Sequence, residues 1–283
     1  MQLAPEQVTT EEVKHWKGLH LLHFAQSSCS QKVRILLREK QLEWTSHPVD
    51  LTRNEHTTEW YLGINPRGVV PVLVHDGVVH IESNDLLEYL DALPAPSGAE
   101  SFLPQDEAER GRVRESLDLE DSLHMDLRTV TMGVLVPVNA AGKSEKELER
   151  YENAGAKDAS RDKEIAWWRA QRERGVPHEM IREAAANYAR AFETLEEALA
   201  DREWLIGDRI SVLEIAWFIN VHRLTMAGYP LERHPRLAAH YERLLQRPAF
   251  AAEIAVPGPL GLAMQAYRWW RRMRGTTLLE IYA

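Results

Sequence analysis

The chain has a single cysteine, Cys29, so no disulfide can form within it, and a reducing compartment is the simpler setting. It also lacks an excess of positive charge. Its 34 Lys and Arg stand against 43 Asp and Glu, a net charge of −9. Binding a phosphate backbone wants a basic face, so no nucleic-acid partner is expected. Long apolar runs are missing too. None approaches the roughly 20 residues a membrane-crossing helix needs, and no membrane span is expected. The opening stretch, MQLAPEQVTTEEVKHWKG, carries acidic residues and no apolar run, unlike a secretory leader. A cytoplasmic location follows as the expectation. No internal repeat is evident.

What is present suffices for a real core: 283 residues, 44% of them hydrophobic, enough for one large domain or two modest ones. Residues 1–18 read as an extension, with Thr9 and Glu12 spaced as a capping box. Residues 19–24 (LHLLHF) suggest a strand. Ser30 to Gln41 suggests a helix with Val33, Ile35, Leu36 and Leu37 on its apolar positions. A second strand is expected over 44–50. In PVLVHDGVVHIE, residues 71–82, Asp76-Gly77 between two apolar runs signals a hairpin. Ser83 is placed to cap a helix ending near Leu93, before Pro94 and Pro96. The order β-α-β-α-β-β-α over 19–93 describes a small α/β unit.

Residues 94–106, rich in Pro, Ser and Gly, read as a linker. Strand signals then nearly vanish. Leu117, Leu123, Leu127, Val130 and Val134 keep helical spacing, as do Tyr188, Ala191, Phe192, Leu195 and Leu199. Ser211 stands three residues before Glu214, a capping box for the helix SVLEIAWFINVHRL. The charged stretch 139–183 reads as solvated helices or loops. Residues 107–256 are therefore expected to form an all-helical domain, and 257–283 a tail. Within that tail, YRWWRRMRG at 267–275 is basic and aromatic. A packed tail is the first reading of it; a cover for a substrate mouth and a membrane-surface contact are the others.

Three short motifs carry chemistry. SSCS at 27–30 sits at a strand-to-helix turn, where unpaired N–H groups and the helix dipole favour an anion. A hydroxyl donor there would lower a ligand thiol's pKa by hydrogen-bonding its thiolate. The plain alternative is a capped turn. In NPRGVVPVL, a cis Val70–Pro71 bond would turn the N–H and C=O of Val70 toward an extended peptide. The alternative is a turn feeding a strand. In IES, Glu82 ends a strand and Ser83 opens a helix, putting a carboxylate beside N-terminal donors. That pair can hold both ends of one amino acid, or simply cap a helix.

In order and spacing, the three motifs resemble the thioredoxin-like half of glutathione transferases over about residues 19–95. The resemblance implies an α/β thioredoxin-like N-terminal domain followed by an all-α C-terminal domain. SSCS is similar to the loop of the zeta, maleylacetoacetate isomerase-like class, although Gln31-Lys32 stands where that class has Trp-Arg. GDRISVLEIAW is similar to the family's folding signature, with Glu214 where aspartate is more usual. By the same resemblance Ser27 stabilises the glutathione thiolate, with Ser28, Cys29 and Ser30 as substitutes. Val70, Pro71, Glu82 and Ser83 bind glutathione, and His56 stands where family members often hold its glycyl end. An exposed loop histidine is the other reading of His56. Glutathione is the implied co-substrate, with no metal, and a homodimer is implied.

The stretches 167–180 and 188–199 resemble the second domain of bacterial β-etherase-like glutathione transferases. That likeness implies thiolate attack on a hydrophobic, aromatic electrophile with an aryloxide leaving. His124, Arg128 and Trp217 are the candidate pocket residues, against a solvated face or dimer contact for the first two and core packing for Trp217. A zeta-type isomerase and a non-catalytic binding module with the same fold are the competing readings.

Overall fold

The structure, a computed structural model, describes residues 1–96, 98–137, 143–153, 159–256 and 258–282. Among these residues the elements are numbered in chain order, β1–β4 and α1–α13. The chain divides into two compact units. One comprises Met1–Ala99 with Gly142–Gly175, the other Glu100–Ala141 with Val176–Ala283.

In the first unit, β1 (Leu19–His23) is an inner strand of a sheet ordered β2-β1-β3-β4. It pairs in parallel with β2 (Thr45–Pro48) and antiparallel with β3 (Val72–His75). A parallel pair needs a crossover, and α1 (Ser28–Glu39) supplies it. β3 and β4 (Val78–His80) form the hairpin expected from Asp76-Gly77. Both turn residues have positive φ, 47° and 83°, as a tight two-residue hairpin requires. The short helix α2 (Glu59–Leu62) precedes β3, and α3 (Ser83–Asp91) follows β4 and packs on α1. Val33, Ile35, Leu36 and Leu37 are all fully buried. At the far ends of these two helices Lys40 and Asp91 form an ion pair of 3.5 Å, both side chains being almost inaccessible.

Several boundaries differ from expectation. α1 starts at Ser28 rather than Ser30, because Ser27 takes the N-cap position, and it stops before Gln41, whose φ is 55°. At α3 the N-cap is Glu82, with Ser83 the first helical residue. Residues 1–18 belong to the first unit: Gln2 bridges His80, and Leu3, Val8 and Val13 are buried in one cluster with Leu22, Val72 and Val79. No Thr9 cap forms there; the short 3-10 turn Glu11–His15 begins after Thr10, whose hydroxyl donates to the carbonyl of Trp60.

The stretch expected to be solvated also differs. Where it is described, it forms α6 (Glu145–Asn153) and α7 (Ala159–Arg174), and Leu148, Tyr151, Trp167 and Trp168 are buried. These helices group with the first unit, not with the helical one. Asn54 and Glu147 hydrogen-bond, and Arg161 donates to the carbonyl of Pro66 at 3.1 Å. The charges of these helices mask an apolar side.

The second unit contains α4 (Glu107–Ser122), α5 (His124–Val130), α8 (His178–Ala198) and α9 (Val212–Met226), followed by α10 (Pro235–Leu245), α11 (Pro248–Ile254), α12 (Gly258–Met273) and α13 (Leu279–Tyr282). Helix α9 is apolar around nearly its whole circumference and is accordingly buried. Ser211 and Glu214 form the expected capping box at its start. A buried chain of hydrogen bonds joins three helices: Tyr188 Oη donates to Asn220 Oδ1 at 2.7 Å, and Asn220 Nδ2 donates to Glu120 Oε1 at 2.8 Å.

Candidate functional site

The strand-to-helix turn after β1 fixes the serine cluster. The N–H of Ser27 donates to the carbonyl of Phe24 at 3.2 Å, closing the turn. Ser27 Oγ accepts the N–H of Ser30 at 3.3 Å, the ordinary N-cap bond. Its own hydroxyl proton has no acceptor among the described residues. Ser27 thus stands half-buried at a helix N-terminus with one donor to spare.

The rest of the cluster is placed differently. Ser30 is fully buried and its Oγ accepts the N–H of Phe24 at 3.4 Å, so that hydroxyl faces inward. Ser28 and Cys29, in the first turn of α1, are half-buried.

Sequence reasoning missed the group that holds this turn. Arg34, in the second turn of α1 and buried, donates to the carbonyls of Phe24 (3.2 Å) and Ala25 (2.8 Å). It also meets His23 Nδ1 at 3.0 Å, while His23 Nε2 lies 2.8 Å from Ser46 Oγ. A guanidinium cannot accept, so Nδ1 of His23 is the acceptor and Nε2 carries the proton. Burial first, then the charges of Arg34 and His47, hold the His23 pKa down to about 4. The imidazole is therefore neutral near neutral pH. An arginine among hydrophobic helix positions gives no sequence sign of such a task.

The second motif lies before β3. The Val70–Pro71 bond is cis. The ladder with β1 ends at Leu22–Val72, so Val70 is outside it. The preceding loop is braced at one oxygen: the carbonyl of Val69 accepts Tyr61 Oη at 2.7 Å and Asn65 Nδ2 at 2.9 Å. Gly68 has a φ of 63°, and a Cβ there would sit 3.1 Å from the carbonyl oxygen of His56.

At the third motif, Glu82 has a φ of 69° and is ion-paired with Arg67. A carboxylate accepts several donors, so Arg67 positions Glu82 without exhausting it. Ser83 is nearly buried beside it. The neighbouring Asn84 Oδ1 receives the buried Lys32 Nζ at 2.9 Å, linking the N-terminal turns of α1 and α3.

His56 is not an exposed loop residue: it is 7% exposed. Its Nε2 lies 3.3 Å from Lys143 Nζ, which donates to Asn54 Oδ1 at 2.7 Å. Of the pocket candidates, His124 and Arg128 are half-buried on α5 in the second unit. Trp217 is 1% exposed and its indole donates to Ser116 Oγ at 3.0 Å. The space it borders, with Leu205, Phe218 and Tyr241, has a volume of about 10 Å³. That holds one water at most, and this burial is the environment that the core-packing reading of Trp217 expects.

Known proteins resemble the chain in sequence and in fold. The family model described as "Glutathione S-transferase, N-terminal domain" matches residues 26–93, and "Glutathione S-transferase, C-terminal domain" matches residues 165–243. Protein LigF of Sphingobium sp. is 29% identical over 238 residues, covering 82% of this chain and 91% of that one. Its crystal structure, described as beta-etherase LigF, superposes with a TM-score of 0.71 over 83% of this chain and 98% of that chain. A probable maleylacetoacetate isomerase of Vibrio cholerae is 28% identical over 241 residues, covering 83% and 94% of the two chains. A glutathione transferase homologue from Sulfitobacter, solved with glutathione bound, shares the fold at 21% identity and a TM-score of 0.60, covering 84% of this chain and 97% of that one.

Proposed function

Since the chain belongs to the glutathione S-transferase family, we infer that it binds glutathione in the first unit and that Ser27 sets the thiol's ionisation. One observation carries this reading: Ser27 Oγ is fixed as the N-cap of α1 while its proton has no acceptor among the described residues. A thiolate at that point would accept the hydroxyl proton and sit at the positive end of the helix dipole. Ser28, Cys29 and Ser30 are the alternatives; the burial of Ser30 and its bond to Phe24 argue against it. Val70, outside the ladder beside Pro71, has backbone groups suited to the cysteinyl segment. Glu82 and Ser83 suit the γ-glutamyl end, and His56 the glycyl end.

The chemistry that fits best is attack by the thiolate on an activated carbon of a hydrophobic, aromatic substrate. A carbon–sulfur bond forms as a carbon–oxygen bond breaks, and the electron pair leaves on an aryloxide that is then protonated by solvent. Likeness to LigF, called a beta-etherase, supports aryl ether cleavage. A glutathione-dependent isomerase is the second reading, supported by the SSCS loop and the Vibrio cholerae relative. His124 and Arg128 remain candidates for the electrophile's pocket, and the active protein is proposed to be a homodimer in the cytoplasm.

The deciding experiment is the pH profile of conjugation for the wild type, Ser27→Ala and Ser28→Ala. Loss of the Ser27 donor should raise the apparent thiol pKa and lower kcat/KM roughly ten- to hundredfold near neutral pH. An unchanged profile removes Ser27 from the mechanism. Assays of a β-aryl ether and of maleylacetone separate etherase from isomerase; turnover of neither would leave only the general glutathione transferase class standing.

A further inference from the structure

The expected packed tail is only half packed. Its far end is anchored: Leu278 is buried and its N–H donates to the carbonyl of Ala227 at 2.9 Å, and Tyr282 Oη donates to the carbonyl of Ala185 at 2.7 Å. Arg271 pins α12 from its inner side, donating to the carbonyl of Gly133 at 2.9 Å and to that of Thr276. Gly261 is buried, and Met264 and Arg268 are half-buried, so with Arg271 they mark the inward face at intervals of three, four and three residues.

The opposite face is apolar. Leu262, Ala266, Trp269 and Met273 recur at spacings of four, three and four, which superposes them on one side of a 3.6-residue helix. Leu262 is 69% exposed, Trp269 66% and Met273 68%, the three most exposed large apolar side chains among the described residues. Trp270, at 45%, lies beside them. Arg272 flanks the stripe on one side. On the other, Arg274 stacks over the Trp270 ring, its guanidinium carbon 4.9 Å from the ring centre. From Gly258 to Gly275 there are four arginines and no acidic residue, in a chain whose net charge is −9.

We propose that α12 docks this chain on an anionic lipid surface, lying in the interface with Leu262, Trp269 and Met273 among the acyl chains and Arg272 and Arg274 at the headgroups. Charge selects this occupant. The segment concentrates cations around an exposed apolar stripe, and tryptophan and arginine are the side chains that bridge hydrocarbon and phosphate. No described helix is long and apolar enough to cross a membrane, so the contact is peripheral. Because Arg271, Leu278 and Tyr282 fasten the C-terminal end of the segment within the second unit, the stripe is held outward before any lipid arrives.

The test is co-sedimentation of the full chain with vesicles of phosphatidylglycerol and phosphatidylcholine, against phosphatidylcholine alone, at low and high salt. The protein should pellet with the anionic vesicles, release partly with salt, and ignore the neutral ones. The double variant Trp269→Ser, Met273→Ser should lose at least about tenfold in affinity, and Arg272→Gln with Arg274→Gln about tenfold. All are exposed positions, and an unchanged thermal melt confirms folding. Absence of binding by folded protein, equal binding to neutral vesicles, or unaltered binding by the Trp269/Met273 variant overturns the proposal. So does a dimer that this variant abolishes in a protein that ignores anionic vesicles, which would make the stripe a contact between copies.

Discussion

Arg34 and Ser27 share one acceptor: the carbonyl oxygen of Phe24 receives the guanidinium of the first and the backbone N–H of the second, each at 3.2 Å. The position of the Ser27 hydroxyl therefore depends on a buried side chain seven residues later. Replacing Arg34 by Met leaves the carbonyls of Phe24 and Ala25 and His23 Nδ1 without this donor. Loss of a buried charged donor of this kind costs about 3–5 kcal/mol, to be read from urea unfolding. Arg34→Lys should keep much of the stability yet lose fork geometry and conjugation rate. A lysine variant with wild-type kcat would show that the turn holds itself.

The response to acid follows from four histidines. Among the described residues His23, His80, His222 and His240 have pKa values pulled from 6.5 to about 4, burial being the largest cause in each. Unfolding restores the ordinary value, so between about pH 6.5 and 4 the unfolded chain binds more protons than the folded one. The contribution of these four groups to stability therefore rises with pH across that window and falls as pH drops through it. Urea unfolding at several pH values in this range should give a positive slope of ΔG against pH, and His222→Gln should reduce it. A flat profile would contradict the neutral state of these side chains.

At the opposite end of α1, the Lys40–Asp91 pair is enclosed on both sides. Asp91→Ala removes the facing carboxylate and leaves Lys40 Nζ its bond to the backbone carbonyl of residue 91, and the loss of that buried counter-charge should cost about 3–5 kcal/mol. The combined Lys40→Met, Asp91→Leu variant removes both charges and should recover most of that loss. Thermal melts of the single and double variants measure the difference.

These features differ in how far sequence alone revealed them. Asp76-Gly77 was legible because a two-residue hairpin demands positive φ, which few residues tolerate. Ser211 with Glu214 was legible because a capping box is a local pattern of fixed spacing. Val70–Pro71 and Glu82-Ser83 stood out through their order along the chain. Arg34, Lys32 and Lys40 did not, since a charged residue on a helix reads as solvated until the partner from another element is known. Residues 1–18 looked like an extension for a related reason. Leu3, Val8 and Val13 are too sparse to form a periodic pattern, and only the face formed by Val72, Val74 and Val79 gives them a place. The trace of α6 and α7 was hidden by their charge, and the outward stripe of α12 by an assumption that aromatic tails pack.

Glu214 offers a test of the capping box itself. Its Oε2 accepts the N–H and the hydroxyl of Ser211, each at 2.7 Å, and its Oε1 accepts the N–H of Leu205 at 2.7 Å. Ser211 Oγ in turn accepts the N–H of Leu213 at 3.1 Å. The side chain is inaccessible, and burial raises its pKa despite these donors. Glu214→Ala leaves two backbone N–H groups buried without acceptors and should cost about 3 kcal/mol. Glu214→Asp, the residue usual in this family, is one methylene shorter and can reach Ser211 or Leu205 but not both. It should cost about 1 kcal/mol, the worth of one such bond. Urea midpoints ordered wild type, Asp, Ala would place the stability in both arms of the carboxylate; an Asp variant as weak as Ala would show that one arm alone contributes nothing.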